Sequence, residues 1–348
     1  MVVIPPSRVK ERSLDMAGYV IRRLLSLIPL LFILSIVVFI IIELPPGDFL
    51  TVYVEQLKSS GVLISEEEVA RLVKQYALDK PLPIRYITWI KNIILHGDFG
   101  RSFNWNRPVL ELIKDRVALS AVISLFTIVF VWIMGVSIGI YSAVRQYSIF
   151  DYIFTFIGFI GVSIPGFLLA LLVIWFAYTK FGIYISGLFS QQFVDAPWSW
   201  AKVLDMLKHI WVPVIIIAVS GIARNLRIMR ANLLDELRKQ YVTVARSKGL
   251  SETRLLIKYP IRIAVNPMIS TIGWTLPAIF SGEALASIIL NLPTIGPLLM
   301  QALLAQDMYL AGSLVLIQGA LTMVGTLISD ILLAWADPRI RYGNTGGK

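Results

Sequence analysis

The sequence predicts an all-α integral membrane protein with about six transmembrane helices and both termini in the cytoplasm. Three observations predict it. Apolar residues make up 57% of the 348-residue chain and charged ones 16%, whereas an average soluble domain carries about a quarter charged residues. The apolar residues are gathered into runs long enough to cross a hydrocarbon layer of about 30 Å. The basic residues sit beside those runs, mostly on one side, so the net charge of +10 reflects orientation in a membrane rather than affinity for nucleic acid.

The elements follow in order. Residues 1–21 form a basic cytoplasmic segment with Arg8, Lys10 and Arg12. Arg22 and Arg23 precede the apolar run Leu24–Ile42, which ends in Glu43-Leu-Pro-Pro-Gly-Asp48 rather than at a small-residue cleavage site. That run exceeds the roughly 7–15 apolar residues of a signal peptide. It predicts a retained first helix over 22–43. Residues 44–116 then form a small extracytoplasmic domain. Ser65, followed by Glu66, Glu67 and Glu68, caps one helix there, and Pro81 and Pro83 start another around Tyr86–Leu95.

A five-helix core occupies 117–336, with spans at 117–142, 152–178, 210–232, 268–290 and 309–336. Gly135 and Gly139 in the second span, and Gly158, Gly161 and Gly166 in the third, permit close helix approach. Pro165 predicts a kink. An outer loop, 179–209, carries Trp198 and Trp200 at interfacial level. In the fourth span a short apolar core, Trp211–Ala223, gives way to Arg224, Arg227 and Arg230, a basic face on a helix leaving the membrane. Residues 337–348 form a cytoplasmic tail. Placing the termini, Arg145 and the ten Lys and Arg of 224–262 inside leaves no Lys or Arg in the outer loop Asn291–Met308.

Several functions are excluded. The chain has no cysteine and only two histidines, His96 and His209, so thiolate chemistry and a histidine metal site are not expected, and no cofactor is. The spans hold no Ser/His or Asp/Asp pairing of the kind an intramembrane hydrolase needs. The terminal Gly343-Asn-Thr-Gly-Gly-Lys348 lacks the spacing of a phosphate loop and follows no strand. No nucleotide site of its own is therefore predicted. Glu43 and Asp330, at span ends, are expected to be interfacial or to pair with a neighbour, because a charge in lipid is costly. Glu283 is the candidate for the transport pathway.

The stretch Tyr241–Arg262 carries the mechanism within the cytoplasmic loop 233–262. Asp235–Tyr241 reads as continuing the fourth helix, with Leu237, Tyr241 and Val244 along one apolar face. Lys248 falls in a last turn and Gly249 where a left-handed residue belongs. Ser251 caps a second helix with Glu252 in its first turn. That helix presents Leu255, Leu256 and Tyr259 among Arg254, Lys258 and Arg262, until Pro260 interrupts it. The product is a helix, a glycine break and a short amphipathic helix.

This segment resembles the EAA loop of ABC importer permeases, and Ala245-Arg-Ser-Lys-Gly249 resembles the A-R-x-K-G of the oligopeptide/dipeptide branch. The resemblance runs along most of the chain. It includes Leu44-Pro-Pro-Gly-Asp48, Leu78-Asp-Lys-Pro-Leu82, Gly97-Asp-Phe-Gly-Arg-Ser102, Ser163-Ile-Pro-Gly-Phe167, Leu292-Pro-Thr-Ile-Gly296 and Asp337-Pro-Arg-Ile-Arg341. Thr243 and Val244 stand where the wider motif has Glu-Ala, Pro260 comes early, and the acid of the fifth span is Glu283, one turn before Ser287.

The resemblance implies an ABC type I importer permease fold. It implies a second homologous permease, two cytosolic ATPases, an extracytoplasmic substrate-binding protein and a site in the cytoplasmic membrane. It implies a cargo of di- or oligopeptides; an oligosaccharide cargo and, in another class, an ion-gradient-driven transporter are the alternatives. Ala245, Arg246, Lys248, Gly249, Leu250 and Arg254 would form the contact with the ATPase, with Leu255, Leu256 and Tyr259 filling its groove. Glu283 and Pro165 would belong to the pathway.

Overall fold

The computed structural model describes residues 16–43, 74, 79–102, 104–269 and 284–336. Among them the chain is helical apart from one two-residue antiparallel hairpin, β1 (Arg101–Ser102) with β2 (Arg107–Pro108), paired Arg101 to Pro108. Among the described residues four helices are long and apolar enough to cross a membrane: α1 (Met16–Glu43), α3 (Val109–Val144), α7 (Trp211–Leu237) and α13 (Met308–Ala336). Between α1 and β1 lies α2 (Leu82–His96).

The expected third span is not one rod. It is two helices, α4 (Ile149–Ser163) and α5 (Gly166–Phe181), set at 107°. Pro165 is the cause. It pushes Ile164 into an extended conformation (φ −86, ψ 121) and itself occupies the N-cap of α5 (φ −58, ψ 139). A kink in one helix was expected; a full break is what forms. The remaining elements are α6 (Trp200–His209), α8 (Gln240–Ser247), α9 (Glu252–Lys258), α10 (Pro260–Ile269), α11 (Ala284–Ile289) and α12 (Ile295–Leu304). α10 and α11 cover the two ends of the expected fifth span. Its middle, Glu283 included, lies outside the described residues, as do Ser65, the terminal tail and most of 44–78.

Helices in lipid gain no hydrophobic free energy from touching each other, so they meet where small residues let backbones approach. Gly135, Gly139 and Gly161 of the expected glycines do this, whereas a Cβ on Gly158 would meet only ordinary contact at 3.9 Å. A Cβ placed on Gly135 would lie 2.6 Å from Asn225 Cβ, and one on Gly139 would lie 2.9 Å from the Leu226 carbonyl oxygen, so α3 and α7 touch along these positions. Gly161 of α4 meets Val219 of α7 in the same way, at 2.8 Å. Gly312 and Gly319 of α13 lie under Ile42 and Leu34 of α1.

Polar contacts tie the ends of these helices. At one end, Glu43 of α1 pairs with Arg85 of α2 at 2.9 Å, and Ser35 bonds the Tyr86 hydroxyl at 2.7 Å. Inside α2, Trp89 is buried against Phe39. The carboxylate of Asp307, buried at the start of α13, accepts from the Ser102 hydroxyl at 2.5 Å, and from the amides of Asn104 (3.3 Å) and Leu310 (3.2 Å). It pins the hairpin to α13 and caps that helix. Near the other end of α13, Asp330 pairs with Arg23 at 3.2 Å, as expected of an acid at a span end.

The expected basic face of the fourth span is divided. Arg230 turns inward and holds Asp151, at the first turn of α4, through two bonds of 2.8 Å. Asp151 is 2% exposed and also accepts from the Tyr147 amide at 2.9 Å. Arg227 instead lies over the Phe159 ring, 5.0 Å from its centre.

Gly139→Leu is expected to destabilise the detergent-solubilised protein by about 2 kcal/mol, as overpacking of a tight contact does. Gly158→Ala, whose Cβ would lie 3.9 Å from that of Ala223, is expected to leave stability unchanged. Thermal unfolding of the two variants side by side checks this.

Candidate coupling site

The loop after α7 was expected to begin as a continuous helix through Tyr241. The helix ends at Leu237. Arg238 is still helical (φ −84, ψ −10), and Lys239 is extended (φ −74, ψ 146). Glu236, in the last turn of α7, explains the break. Its buried carboxylate accepts from the Lys239 ammonium and, at 2.6 Å, from the Tyr241 hydroxyl. Those two donors lie three and five residues on, a spacing that a straight helix would not bring to one carboxylate. Burial and the Glu236 carboxylate together hold the Tyr241 hydroxyl well above the ordinary phenol range.

The glycine break forms as expected. Lys248 follows α8, and Gly249 takes a left-handed conformation (φ 77) with nothing within 4 Å of where a Cβ would stand. Backbone conformation alone therefore demands glycine there. Ser251 occupies the N-cap position in an extended conformation, without a side-chain capping bond. Glu252 reaches back instead to Arg246, at 2.6 and 3.2 Å. That bond lowers the Glu252 carboxyl and raises the Arg246 guanidinium from their ordinary values. α9 stops at Tyr259 (φ −120, ψ −80), and Pro260 opens α10, where its missing N–H costs nothing.

α8 and α9 fold back on each other around a small core. Val242, Ala245 and Leu255 are buried in it, with Tyr241, Leu250 and Tyr259 packed around them. This corrects two expectations. The packed face of α8 is Val242 and Ala245, while Val244 is exposed. Leu255 is fully buried within the chain, so it cannot fill a groove on another protein; Leu256 and Tyr259 are half-buried. The exposed apolar side chain of α9 is Ile257, at 64%. Arg246, Lys248, Arg254 and Lys258 all lie on the open surface, and Lys258 rests over the Tyr259 ring at 5.5 Å.

This small body is fixed to the bundle. α10 packs Ala264 and Met268 against Met229 and Leu233 of α7. Asn232 donates to the Ala264 carbonyl at 3.2 Å. The foot of α7, α8, α9 and α10 therefore form one continuous packed unit. Of the two pathway candidates, Pro165 sits at the α4–α5 break and Glu283 lies outside the described residues. Sequence reading missed Glu236, Ile257 and the Asp151–Arg230 pair. Only Asp151 left a local signal, its amide bonding the Ser148 hydroxyl at 3.2 Å in a capping arrangement.

Comparison with known proteins places these features. Residues 135–342 match the family described as binding-protein-dependent transport system inner membrane component. Residues 16–126 match the family of the corresponding N-terminal region. The chain is 32% identical to the oligopeptide transport system permease protein AppB of Bacillus subtilis, over 94% of this chain and 100% of that protein. It is 30% identical to the dipeptide transport system permease protein DppB of Alkalihalophilus pseudofirmus, over 94% and 100% respectively. It is 29% identical to the peptidoglycan transport system permease protein YejB of Agrobacterium fabrum, over 94% and 99%.

Tyr241→Phe is expected to speed subtilisin cleavage between α7 and α8 about tenfold, as loss of a hydrogen bond to a charged group predicts. Because the folded-state pKa of Tyr241 is raised, the bond's contribution is complete below about pH 10 and is lost as pH rises further. Cleavage of the unaltered protein should therefore accelerate above that pH, and that of the variant should not.

Proposed function

The chain belongs to the family of binding-protein-dependent transport system inner membrane components, and from that membership we infer that it forms half of the pathway of an ATP-driven peptide importer. It is a multi-pass membrane protein and a transport component, not an enzyme. Relatives named for oligopeptide and dipeptide transport, matched almost end to end, support a peptide cargo. They lend no support to an oligosaccharide cargo or to an ion-gradient-driven transporter.

The partners follow from the family: a second permease of the same kind, a pair of cytosolic ATPases, and the binding protein for which the family is named. Six spans with cytoplasmic termini remain the reading that fits. Four long helices and the bent pair account for five. α10 packs beside the cytoplasmic loop, while Leu290, just after α11, belongs to the outer core with Leu188 and Leu292. α10 and α11 thus belong to opposite ends of the bundle, which supports the reading of a span at 268–290. We also assign residues 44–116 to the extracytoplasmic side; that α2 meets the end of α1 at Glu43 and the hairpin meets the start of α13 at Asp307 supports this reading.

The observation that carries the coupling role is the α8–Gly249–α9 fold itself. A private core, rather than the bilayer, holds the two helices together, and their outer surface is basic around an exposed isoleucine. We assign the contact with the ATPase to Ile257, Val244, Lys248, Arg254 and Lys258. Ala245, Leu250 and Leu255 act from beneath by holding α9 at a fixed angle to α7. Arg246 acts through Glu252, clasping the turn. ATP-driven closure then displaces α9 as a rigid piece and biases the membrane helices between two arrangements.

In the full complex reconstituted into vesicles, Ile257→Asp is expected to weaken ATPase association about thirtyfold, the loss of a contact worth about 2 kcal/mol. Gly249→Pro is expected to abolish the ATPase stimulation that the loaded binding protein produces, while membrane insertion persists. Unchanged stimulation and uptake in both variants would remove the coupling role. Mass spectrometry of the ligand that co-purifies with the cognate binding protein checks the cargo: a peptide is expected, and an oligosaccharide overturns the assignment. Glu283→Gln is expected to reduce peptide uptake without changing ATPase association, and unaltered uptake removes Glu283 from the pathway.

A further inference from the structure

Helix α6 joins α7 through Ile210 alone, which keeps a helical conformation (φ −64, ψ −25). Its residues divide sharply by exposure. Trp200 is 80% exposed, Leu204 56%, Leu207 42% and, at the head of α7, Trp211 58%. The intervals of four and three residues place Trp200, Leu204 and Leu207 within about 60° of arc on a helix of 3.6 residues per turn, and Trp211 opens the next helix.

The charged side chains near this stripe are turned away from it. The Lys202 ammonium donates to the carbonyls of Ala196 (2.6 Å) and Val194 (3.2 Å), and lies over the rings of Phe189 (4.9 Å) and Trp198 (5.3 Å). Asp205 accepts from the Ser190 hydroxyl at 2.6 Å and the Ser190 amide at 2.7 Å. Burial alone would raise the Asp205 carboxyl, but these bonds outweigh it, and the group is held below the ordinary carboxylate value. His209 Nδ1 lies 2.7 Å from the Asp205 carbonyl oxygen. Lys208 is exposed at the flank of the stripe. Both buried charges thus fix the loop 183–199 to the inner side of α6 and leave its outer face uncharged.

We propose that α6 lies in the outer headgroup–acyl boundary of the bilayer, with the face of Trp200, Leu204, Leu207 and Trp211 against lipid. The stripe runs without interruption into the apolar start of a membrane-crossing helix, so its neighbour at Trp211 is hydrocarbon. Tryptophan stands at both ends and leucine between, which suits a layer that is apolar on one side and wet on the other. A protein partner is a poorer occupant. A standard interface carries about ten hydrogen bonds, and this face offers only two indole N–H groups. The anchor fixes the depth of the outer end of α7. Displacement of the loop at the far end, some 27 residues or about 40 Å away, then tilts α7 about α6 instead of sliding it through the membrane.

Because this chain has no cysteine, one introduced thiol gives one labelling site in it, provided it is labelled before assembly with its partner subunits. The test uses the full transporter in phospholipid vesicles, with spin labels at Leu204→Cys and, separately, at Lys208→Cys. Collision with molecular oxygen is compared with collision with a water-soluble nickel chelate. The label at 204 is expected to favour oxygen severalfold, and the label at 208 to favour the chelate. Chelate access at 204 equal to that at 208 overturns the proposal, because the stripe then faces water. Shielding of 204 from both collision partners also overturns it, because a protein then covers the stripe. Leu207→Cys gives the same reading if the 204 variant does not assemble. None of these readings depends on uptake or ATPase activity, so they stand or fall apart from the proposed function.

Discussion

Helix association without a hydrophobic driving force is the constraint on which the structure depends. In water the bundle would collapse by burying leucine; in lipid, leucine is equally content facing the acyl chains. What remains is close contact of backbones, and α7 is where it is concentrated. Gly135 and Gly139 of α3, Gly161 of α4 and its own Gly221, which faces Val131, all lie at surfaces of α7. Around α7 the large side chains point outward, as on α4, where Phe156 is 66% and Phe159 55% exposed. The fold is a set of glycine seams with a greasy exterior.

Seams made of small residues fix distance well and axial position poorly, since neighbouring turns of a smooth helix look alike. Polar contacts supply the missing register. Asp151 with Arg230 locks α4 to α7 at one height, and a pair this buried is costly to break because the surviving charge has no partner. Asp307 does the same for α13 and the hairpin, with three acceptor contacts from two separate segments. Glu236 does it for the loop. Each of these acids stands at or near a helix end, where a carboxylate costs least and free amides or flexible neighbours are within reach.

The legible parts of this chain were those written in local chemistry. Gly249, Ser251 and Pro260 announced a helix, a break, a helix and a stop, because capping and proline rules act over a few residues. The long apolar runs announced spans for the same reason. The illegible parts depended on pairings across the chain. Nothing local tells Arg230 from Arg227, yet one is bound to a residue 79 positions away and the other lies on an aromatic ring. Ser102 gives no hint of Asp307, 205 residues on. Leu255 and Ile257 are both aliphatic residues on one short helix, and only the position of α8 decides which is inside. At Pro165 the sequence showed where the helix would yield but not how far, because the 107° angle is set by what α4 and α5 pack against.

The loop's charges carry the argument one step further. The motif that this segment resembles has a glutamate where this chain has Thr243, yet two carboxylates still act on α8, one at each end. Glu236 holds Tyr241 and Lys239 at its start, and Glu252 holds Arg246 at its finish. Both are paired within the chain, Glu236 buried and Glu252 at the surface. Among the described residues from α8 through α9, the charges left without an acidic partner are Lys248, Arg254 and Lys258, all exposed. The outer surface therefore carries three positive charges without an acidic partner beside the exposed Arg246–Glu252 pair. A surface of that kind selects a partner whose facing charges are acidic, and it does so mainly through encounter rate and register. In the proposed contact with the ATPase, the energy is assigned to the apolar side chain among the charges, Ile257. Stiffness, orientation and partner preference in this loop are consequences of one arrangement of charge, and a substitution at Glu236 or Glu252 disturbs all three together.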